Sequence, residues 1–296
     1  MAAESEAWTF VKPRSRKGKK NNGKSNSSTP QLPQGAQTSA EAPPTFKPRT
    51  TNLRSVDEIQ AEYNRIRAEW LDSECCTKLR ELVKKQSIGK GTFSKAICLG
   101  VGTFDPEDGA WAQKRISYHQ LIAFTVMVEE LEKMNGSELE CIQQDPIFTE
   151  SDKGFLAKLG HKVLESPAAY SEVDEDTFLY GVHLYRPVYA ASLKDHLPHI
   201  FVGTGYDEWE SATMGSLDDI QPMKTMEAEY TKMAFPEDTI NATFHGTSIY
   251  WRPQSQLAPD DKNISSTTED KDVLSNSPKK DDAEDLTEKM AATKIT

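Results

Sequence analysis

The chain has 296 residues, of which 36% are hydrophobic and 27% are charged, and its formal net charge is −11. Residues 51–258 alone carry −13, so this stretch would repel a phosphate backbone, and we expect no general binding of DNA or RNA by its surface. No apolar run approaches about 18 residues, so no membrane-spanning helix is predicted.

The two ends of the chain have the composition of disordered segments. Residues 1–50 hold nine Lys/Arg and three Asp/Glu, and Lys12–Lys24 contains seven basic residues and no acidic one. Because neither end has enough apolar residues to offset the entropy of ordering, we expect a disordered basic arm over 1–50, one folded domain over 51–258 and a disordered acidic tail over 259–296. The arm fits a nuclear-import signal or an anionic-surface contact as well as it fits a merely solvated segment.

The N-terminus and the cysteines indicate the compartment. The first residues include acidic side chains and no apolar run before the basic cluster, unlike a secretory signal. None of the four cysteines forms a C-x-x-C pair. We therefore expect structural thiols in a reduced, intracellular protein that is cytoplasmic, with a nuclear location also open.

The first predicted element is an amphipathic helix that starts at Ser55. Ser55 and Glu58 have the spacing of a capping box, and apolar residues then recur at three- and four-residue steps as far as Val83. The pattern stops near Gly89, which predicts about eight turns, with a break near Cys75-Cys76. Such a helix either covers the domain or binds a partner, and covering is the commoner role.

After this helix the sequence alternates between short apolar strands and helices. Helices are predicted from a Ser117–Gln120 capping box, from Thr149 to Gly160, from Pro187 to His196, and over 222–235. Strands are predicted at Ala96–Val101, Leu139–Gln144, Lys162–Glu165, Thr177–Leu184 and His199–Thr204, with a last, antiparallel edge strand at Ile240–Trp251. This alternation predicts a Rossmann-like α/β fold, in which a mostly parallel sheet carries helices on both faces.

Ligands of such sheets bind beyond the carboxyl ends of the strands, and that rule selects five candidate ligand-binding residues: Gly100, Gly102, Asp145, His183 and Gly203. The glycines permit close approach of a ligand to the backbone, and Asp145 is placed to accept hydrogen bonds from a ribose. A dinucleotide is not expected, because the third glycine of G-x-G-x-x-G is missing and no helix is predicted to start between Gly102 and Ser117. A nucleoside-like ligand of low charge stays open. In the alternative interpretation the glycines form a tight turn and Asp145 caps it, which makes all of them scaffold.

No catalytic set accompanies these residues. A histidine such as His183 in an apolar strand is more often a packed residue than a base, and G-x-S-x-G is absent from the sequence. The six histidines show no metal-ligand spacing with cysteines or carboxylates, so no metal site is predicted.

Several short motifs, taken in order, resemble the sensitivity-to-red-light-reduced (SRR-like) domain family over about residues 50–252. They are Trp8-Thr-Phe-Val before a basic cluster, Cys98–Phe104, Asp145–Phe148, His183 with Tyr185, Gly203, and Thr247-Ser248 before Tyr250-Trp251. The chain departs from the family in an acidic insertion after Phe104 and in Val182-His183-Leu184, where the family has Pro-His-Cys. The resemblance implies a regulatory protein, associated in different lineages with light or clock signalling, cytoskeletal phenotypes and haem metabolism, and it implies no settled reaction.

Together these observations predict an intracellular regulatory or adaptor protein that has a protein partner and a strand-end site for a small ligand. The alternative is a methyltransferase-like enzyme that uses Asp145 to hold the ribose of a nucleoside cofactor. The sequence identifies neither the cofactor nor the partner.

Overall fold

A computed structural model describes residues 47–87, 93–107, 110–237 and 242–253. The predicted basic arm lies outside these residues except for 47–50, the acidic tail lies wholly outside them, and so does the predicted helix end near Gly89. The helices and strands of the described chain, in order, are α1 (Val56–Leu71), α2 (Glu74–Ser87), β1 (Lys95–Leu99), α3 (Trp111–Asn135), β2 (Glu140–Gln144), α4 (Glu150–Lys158), β3 (Lys162–Val163), β4 (Thr177–Gly181), α5 (Arg186–Ser192), β5 (Ile200–Thr204), α6 (Tyr206–Ala212), α7 (Gln221–Glu229), β6 (Thr231–Ala234) and β7 (Thr247–Trp251).

The strands form one mixed sheet in the order β3-β2-β1-β4-β5-β7-β6. β1 to β5 are mutually parallel, whereas β7 runs antiparallel to both β5 and β6. Alternate residues of the central strands enter two apolar cores, one beneath α1–α4 with Phe124 and Trp251, the other beneath α5–α7 with Phe201 and Met226. The predicted α/β fold with helices on both faces is therefore confirmed. The strand order reverses between β1 and β4, which is where such folds bind their ligands.

The N-terminal helical pattern is divided into two helices. The Ser55–Glu58 capping box is present at the start of α1. The break falls at Asp72-Ser73, slightly before the predicted position, and the Ser73 hydroxyl accepts a hydrogen bond from the Cys76 N–H at 3.1 Å. The apolar side of α1, which includes Ile59 and Trp70, is buried against α3 and α4, so this helix covers the domain.

The predicted start of the third helix at Ser117 is wrong. α3 begins at Trp111, and Ser117 is a buried residue in its second turn whose hydroxyl donates to the Gln113 carbonyl at 3.2 Å. No Gly or Pro interrupts the chain between Ala110 and Gly136, so the helix extends two turns before the Ser-x-x-Gln spacing. The predicted α4, by contrast, is confirmed, with a Thr149–Asp152 capping box.

The C-terminal elements differ most from the prediction. The helix predicted over 222–235 ends at Glu229, and the following residues form β6. The last strand is antiparallel as predicted, but it spans Thr247–Trp251 and lies inside the sheet, so β6 is the edge strand. α5 ends at Ser192, before the predicted end, and α6 has no counterpart in the prediction.

One histidine is buried beside β2. The His161 Nδ1 lies 3.1 Å from the Gln143 Nε2, and its ring meets the Phe124 ring edge-on. Burial lowers the pKa of His161 to about 4. The imidazole is therefore neutral in the folded protein at pH 7.

Candidate functional site

The turn after β1 is built on two glycines in the left-handed region, Gly100 at φ +67° and Gly102 at φ +83°. A Cβ on Gly102 would lie 2.6 Å from the Ser117 hydroxyl of α3, and one on Gly100 would overlap the Leu184 side chain. Both the backbone conformation and the close packing therefore require glycine here. The second turn of α3, which carries Ser117, therefore packs against the glycine turn.

Two carboxylates of the chain hold this turn. Asp145 accepts the Gly102 N–H at Oδ2 (2.8 Å) and the Ile147 N–H at Oδ1 (3.0 Å). Asp152, fully buried at the start of α4, accepts the Phe104 N–H at 3.0 Å and the Thr103 hydroxyl at 2.7 Å. Backbone N–H groups of a glycine turn after a first strand are the donors that bind phosphate in nucleotide sites. In this chain the Gly102 and Phe104 N–H groups donate to internal carboxylates.

Asp145, which is partly buried, and Asp152, which is fully buried, determine the electrostatics of the turn. Burial raises the pKa of Asp145, and the nearby Asp152 charge raises it further, while the N–H groups of Ile147 and Gly102 oppose both effects. Burial likewise raises the pKa of Asp152, against four opposing hydrogen bonds. A site with two adjacent acids, one partly and one fully buried, disfavours an anionic ligand.

Leu184 fills the point where the strand order reverses. Its side chain lies against Gly100 on one side and Gly181, the last residue of β4, on the other, so that a Cβ on either glycine would overlap it. Sequence reasoning noted Leu184 only as the residue that replaces the cysteine of the family motif. The structure shows that this replacement places an apolar side chain between the ends of β1 and β4.

Tyr189 ties the ends of β4 and β5 together. Its hydroxyl donates to the Gly181 carbonyl at 2.5 Å and accepts the Thr204 N–H at 3.0 Å. Its ring packs on Gly203, where a Cβ would lie 3.0 Å from the Tyr189 Cε1 and 2.6 Å from the Phe201 ring. Gly203 is therefore a strand residue, paired with Gly181, and not a residue beyond the strand end.

His183 lies in a turn and not in β4, which ends two residues earlier. It adopts the left-handed conformation at φ +56°, unusual for a residue with a side chain, and its side chain is exposed. The His183 Nε2 is 3.1 Å from the Thr243 carbonyl. Since a carbonyl only accepts, Nε2 carries the hydrogen in this contact.

The structure thus brings three of the five candidate residues together, and the other two lie in different contacts. Gly102 and Asp145 are in direct hydrogen-bond contact, and Gly100 adjoins them through the turn. Gly203 belongs to a separate cluster around Tyr189, and His183 contacts the turn before β7. Sequence reasoning missed Asp152, although its spacing from Thr149 was a signal of a capping box.

Other features of the described chain lie apart from these residues. Surface cavities of about 330 Å³ and about 160 Å³ occur at the start of α7 and at the start of α3, and none of the five candidates lines them. Across the described ranges, no group of three His, Cys, Asp or Glu is arranged to hold a metal ion, and no helix has the length and apolarity to cross a membrane. The four cysteines all lie within the described residues and form no disulfide bond.

Comparison with known proteins gives one match. A family model described as the SRR1 domain matches residues 78–251, more than half of the chain. The match starts within α2 and ends at the last residue of β7, so it contains the whole sheet and all five candidate residues. It supports the resemblance seen in the motifs. No curated protein and no solved structure matches the chain.

Proposed function

Because the chain belongs to the SRR1 domain family, we propose that it is a regulatory or adaptor protein that acts by binding a protein partner and not by catalysing a reaction. The observation that carries this proposal is the bonding of the glycine turn. The Gly102 and Phe104 N–H groups, which a nucleotide would need as donors, are taken by Asp145 and Asp152. This is the bonding of a scaffold and not of an open phosphate site.

The methyltransferase-like alternative would use the same groups in another way. A nucleoside cofactor needs Asp145 to accept from its ribose and needs space between the ends of β1 and β4. Each Asp145 oxygen already accepts a backbone N–H, and Leu184 lies against Gly100 and Gly181 in that space. A cofactor would have to displace Leu184 and compete with two hydrogen bonds, so the alternative is the less favoured function.

The place of action is part of the proposal. The family is associated with light or clock signalling, and we extend this association to the chain, with action in the cytoplasm and nucleus. Lys12–Lys24 would then be an import signal. Replacing Lys19 and Lys20 by Gln in the fluorescently tagged full chain should reduce the nuclear signal. An unchanged distribution would assign the arm to another role.

A thermal-shift experiment separates the two functions. The full chain is heated with S-adenosylmethionine, NAD or ATP, and we expect no change of melting temperature. A ligand at 100 times its Kd stabilises a protein by about 2.7 kcal/mol, or several degrees for a domain of this size. A shift that Asp145→Asn removes, while the exposed Asp176→Asn control keeps it, would overturn the proposal in favour of an enzyme.

A second measurement tests the scaffold role of the turn in cells. Gly102→Val and Asp145→Asn are compared for melting temperature and for rescue of a light- or clock-dependent phenotype. If the turn is scaffold, rescue falls only where stability falls. Loss of rescue at normal stability in both variants would mean that the turn binds a ligand.

A further inference from the structure

The segment between α6 and α7 contains a short exposed stretch. Met214, Gly215 and Ser216 are all exposed, and Met214 is accessible to the same degree as in an extended chain. Two carboxylates, Asp218 and Asp219, follow Ser216 at the second and third positions, and both are exposed. The two carboxylates create a local negative potential beside the Ser216 hydroxyl, which an incoming protein would meet.

We propose that Ser216 is a phosphorylation site for an acidophilic Ser/Thr protein kinase and that its phosphate binds Arg186. The basic substrate groove of such a kinase would be attracted by Asp218 and Asp219. This modification is independent of the glycine turn, so it stands whether or not the proposed function is correct.

Arg186 is already positioned beside Ser216. Its Nη1 donates to the Ser216 carbonyl at 3.3 Å, and its Nε donates to the Asp219 carboxylate at 2.8 Å. The Ser216 hydroxyl accepts the Asp218 N–H at 3.1 Å. A phosphate on this oxygen would thus have a guanidinium and a backbone N–H as donors, the two partners that phosphoserine prefers.

The reaction transfers one phosphoryl group. The Ser216 oxygen attacks the γ-phosphorus of a nucleoside triphosphate held by the kinase, and the bond from that phosphorus to the β–γ bridging oxygen breaks. A nucleoside diphosphate leaves, and the hydroxyl proton passes to the base of the kinase.

Ser55 is a matched internal control. It has the same spacing to acidic residues, with Asp57 and Glu58 at the second and third positions, and it is also exposed. Its hydroxyl, however, donates to the Glu58 carboxylate at 2.7 Å within the capping box of α1. A phosphate at Ser55 would break that box and face a carboxylate, so sequence spacing alone does not make the two serines equivalent.

The first experiment measures site-resolved phosphorylation. The purified full chain is incubated with a casein-type acidophilic kinase and Mg-ATP, and occupancy is followed by mass spectrometry. We expect Ser216 to react at least about fivefold faster than Ser55, because Ser55 must first lose its capping box. Equal rates at the two serines, or an unmodified Ser216, would overturn the proposal.

The second experiment tests the role of Arg186. Phosphorus NMR follows the second ionisation of the phosphate on Ser216, and we expect its pKa to be lower in the parent chain than in Arg186→Gln by about half a unit. Arg65→Gln, which removes an exposed arginine of α1, is the control and should leave the titration unchanged. Identical titrations in the parent chain and Arg186→Gln would refute the contact with Arg186.

Discussion

Acidification should destabilise the protein through His161. In the folded state the Gln143 Nε2 donates to the His161 Nδ1 at 3.1 Å, so a proton on Nδ1 would require the Gln143 amide to turn over. Burial lowers the pKa of this imidazole from 6.5 to about 4. Below pH 6.5 the unfolded chain therefore binds a proton that the folded chain does not. Stability is lost as the pH falls from 6.5 towards 4.

The magnitude follows from the two pKa values. Between pH 7 and pH 5 the folded state should lose about 2 kcal/mol of unfolding free energy from His161 alone. Asp145 and Asp152 act in the opposite direction, because burial raises the pKa of each carboxyl and the folded state gains stability as the pH falls from that raised pKa towards the ordinary value of 3.8. The contribution of His161 must therefore be measured against a variant that lacks it.

Urea unfolding of the parent chain and of His161→Asn, followed by tryptophan fluorescence at pH 7 and pH 5, isolates the effect. Asn keeps an acceptor for the Gln143 amide and does not titrate. The unfolding free energy of the variant, relative to that of the parent, should be about 2 kcal/mol higher at pH 5 than at pH 7. His196→Asn, which removes an exposed histidine, should keep the pH dependence of the parent. A parent–variant difference that is the same at both pH values would refute the reasoning.

Three further predictions concern stability and domain limits. Trp70→Ala should lower the unfolding free energy by about 3–5 kcal/mol in urea titrations, since the indole is buried beneath α1, and an unchanged midpoint would contradict its packing role. Asp152→Asn should cost about 2 kcal/mol in the same assay, because the carboxylate accepts from Thr103, Phe104 and Thr149, and a cost near zero would remove it from the support of the turn. Limited proteolysis should leave a fragment close to residues 50–258, and early cleavage between residues 96 and 205 would contradict a single domain.

The parallel part of the fold was predictable because each element carries its own local signal. Apolar runs marked β1, β4 and β5, and the Ser55 capping box and the Thr149 N-cap marked two helix starts. The Ser117 box misled because Ser and Gln three residues apart also occur inside a helix, where the hydroxyl bonds to its own backbone. β6 was missed because a four-residue edge strand acquires its pairing from β7 and not from its own sequence.

The candidate site was predictable as a set of positions but not as a set of contacts. The rule on strand ends placed Gly100, Gly102 and Asp145 at one edge of the sheet. The local sequence does not show which groups accept hydrogen bonds from the turn or which side chains pack on it. The contact of Asp152 with Phe104 and the packing of Leu184 on Gly100 join residues that are far apart in the chain.

The position of β7 has a consequence for biosynthesis. This strand lies between β5 and β6, yet it is the last strand of the sheet to leave the ribosome. Until Trp251 has emerged, β5 presents an open edge and β6 has no neighbour, so a nascent chain carries an unpaired strand ready to pair with another chain. Premature termination before Thr247 would leave that edge permanently open. Chains truncated in this way should depend on chaperones and quality-control proteases much more than the full chain does.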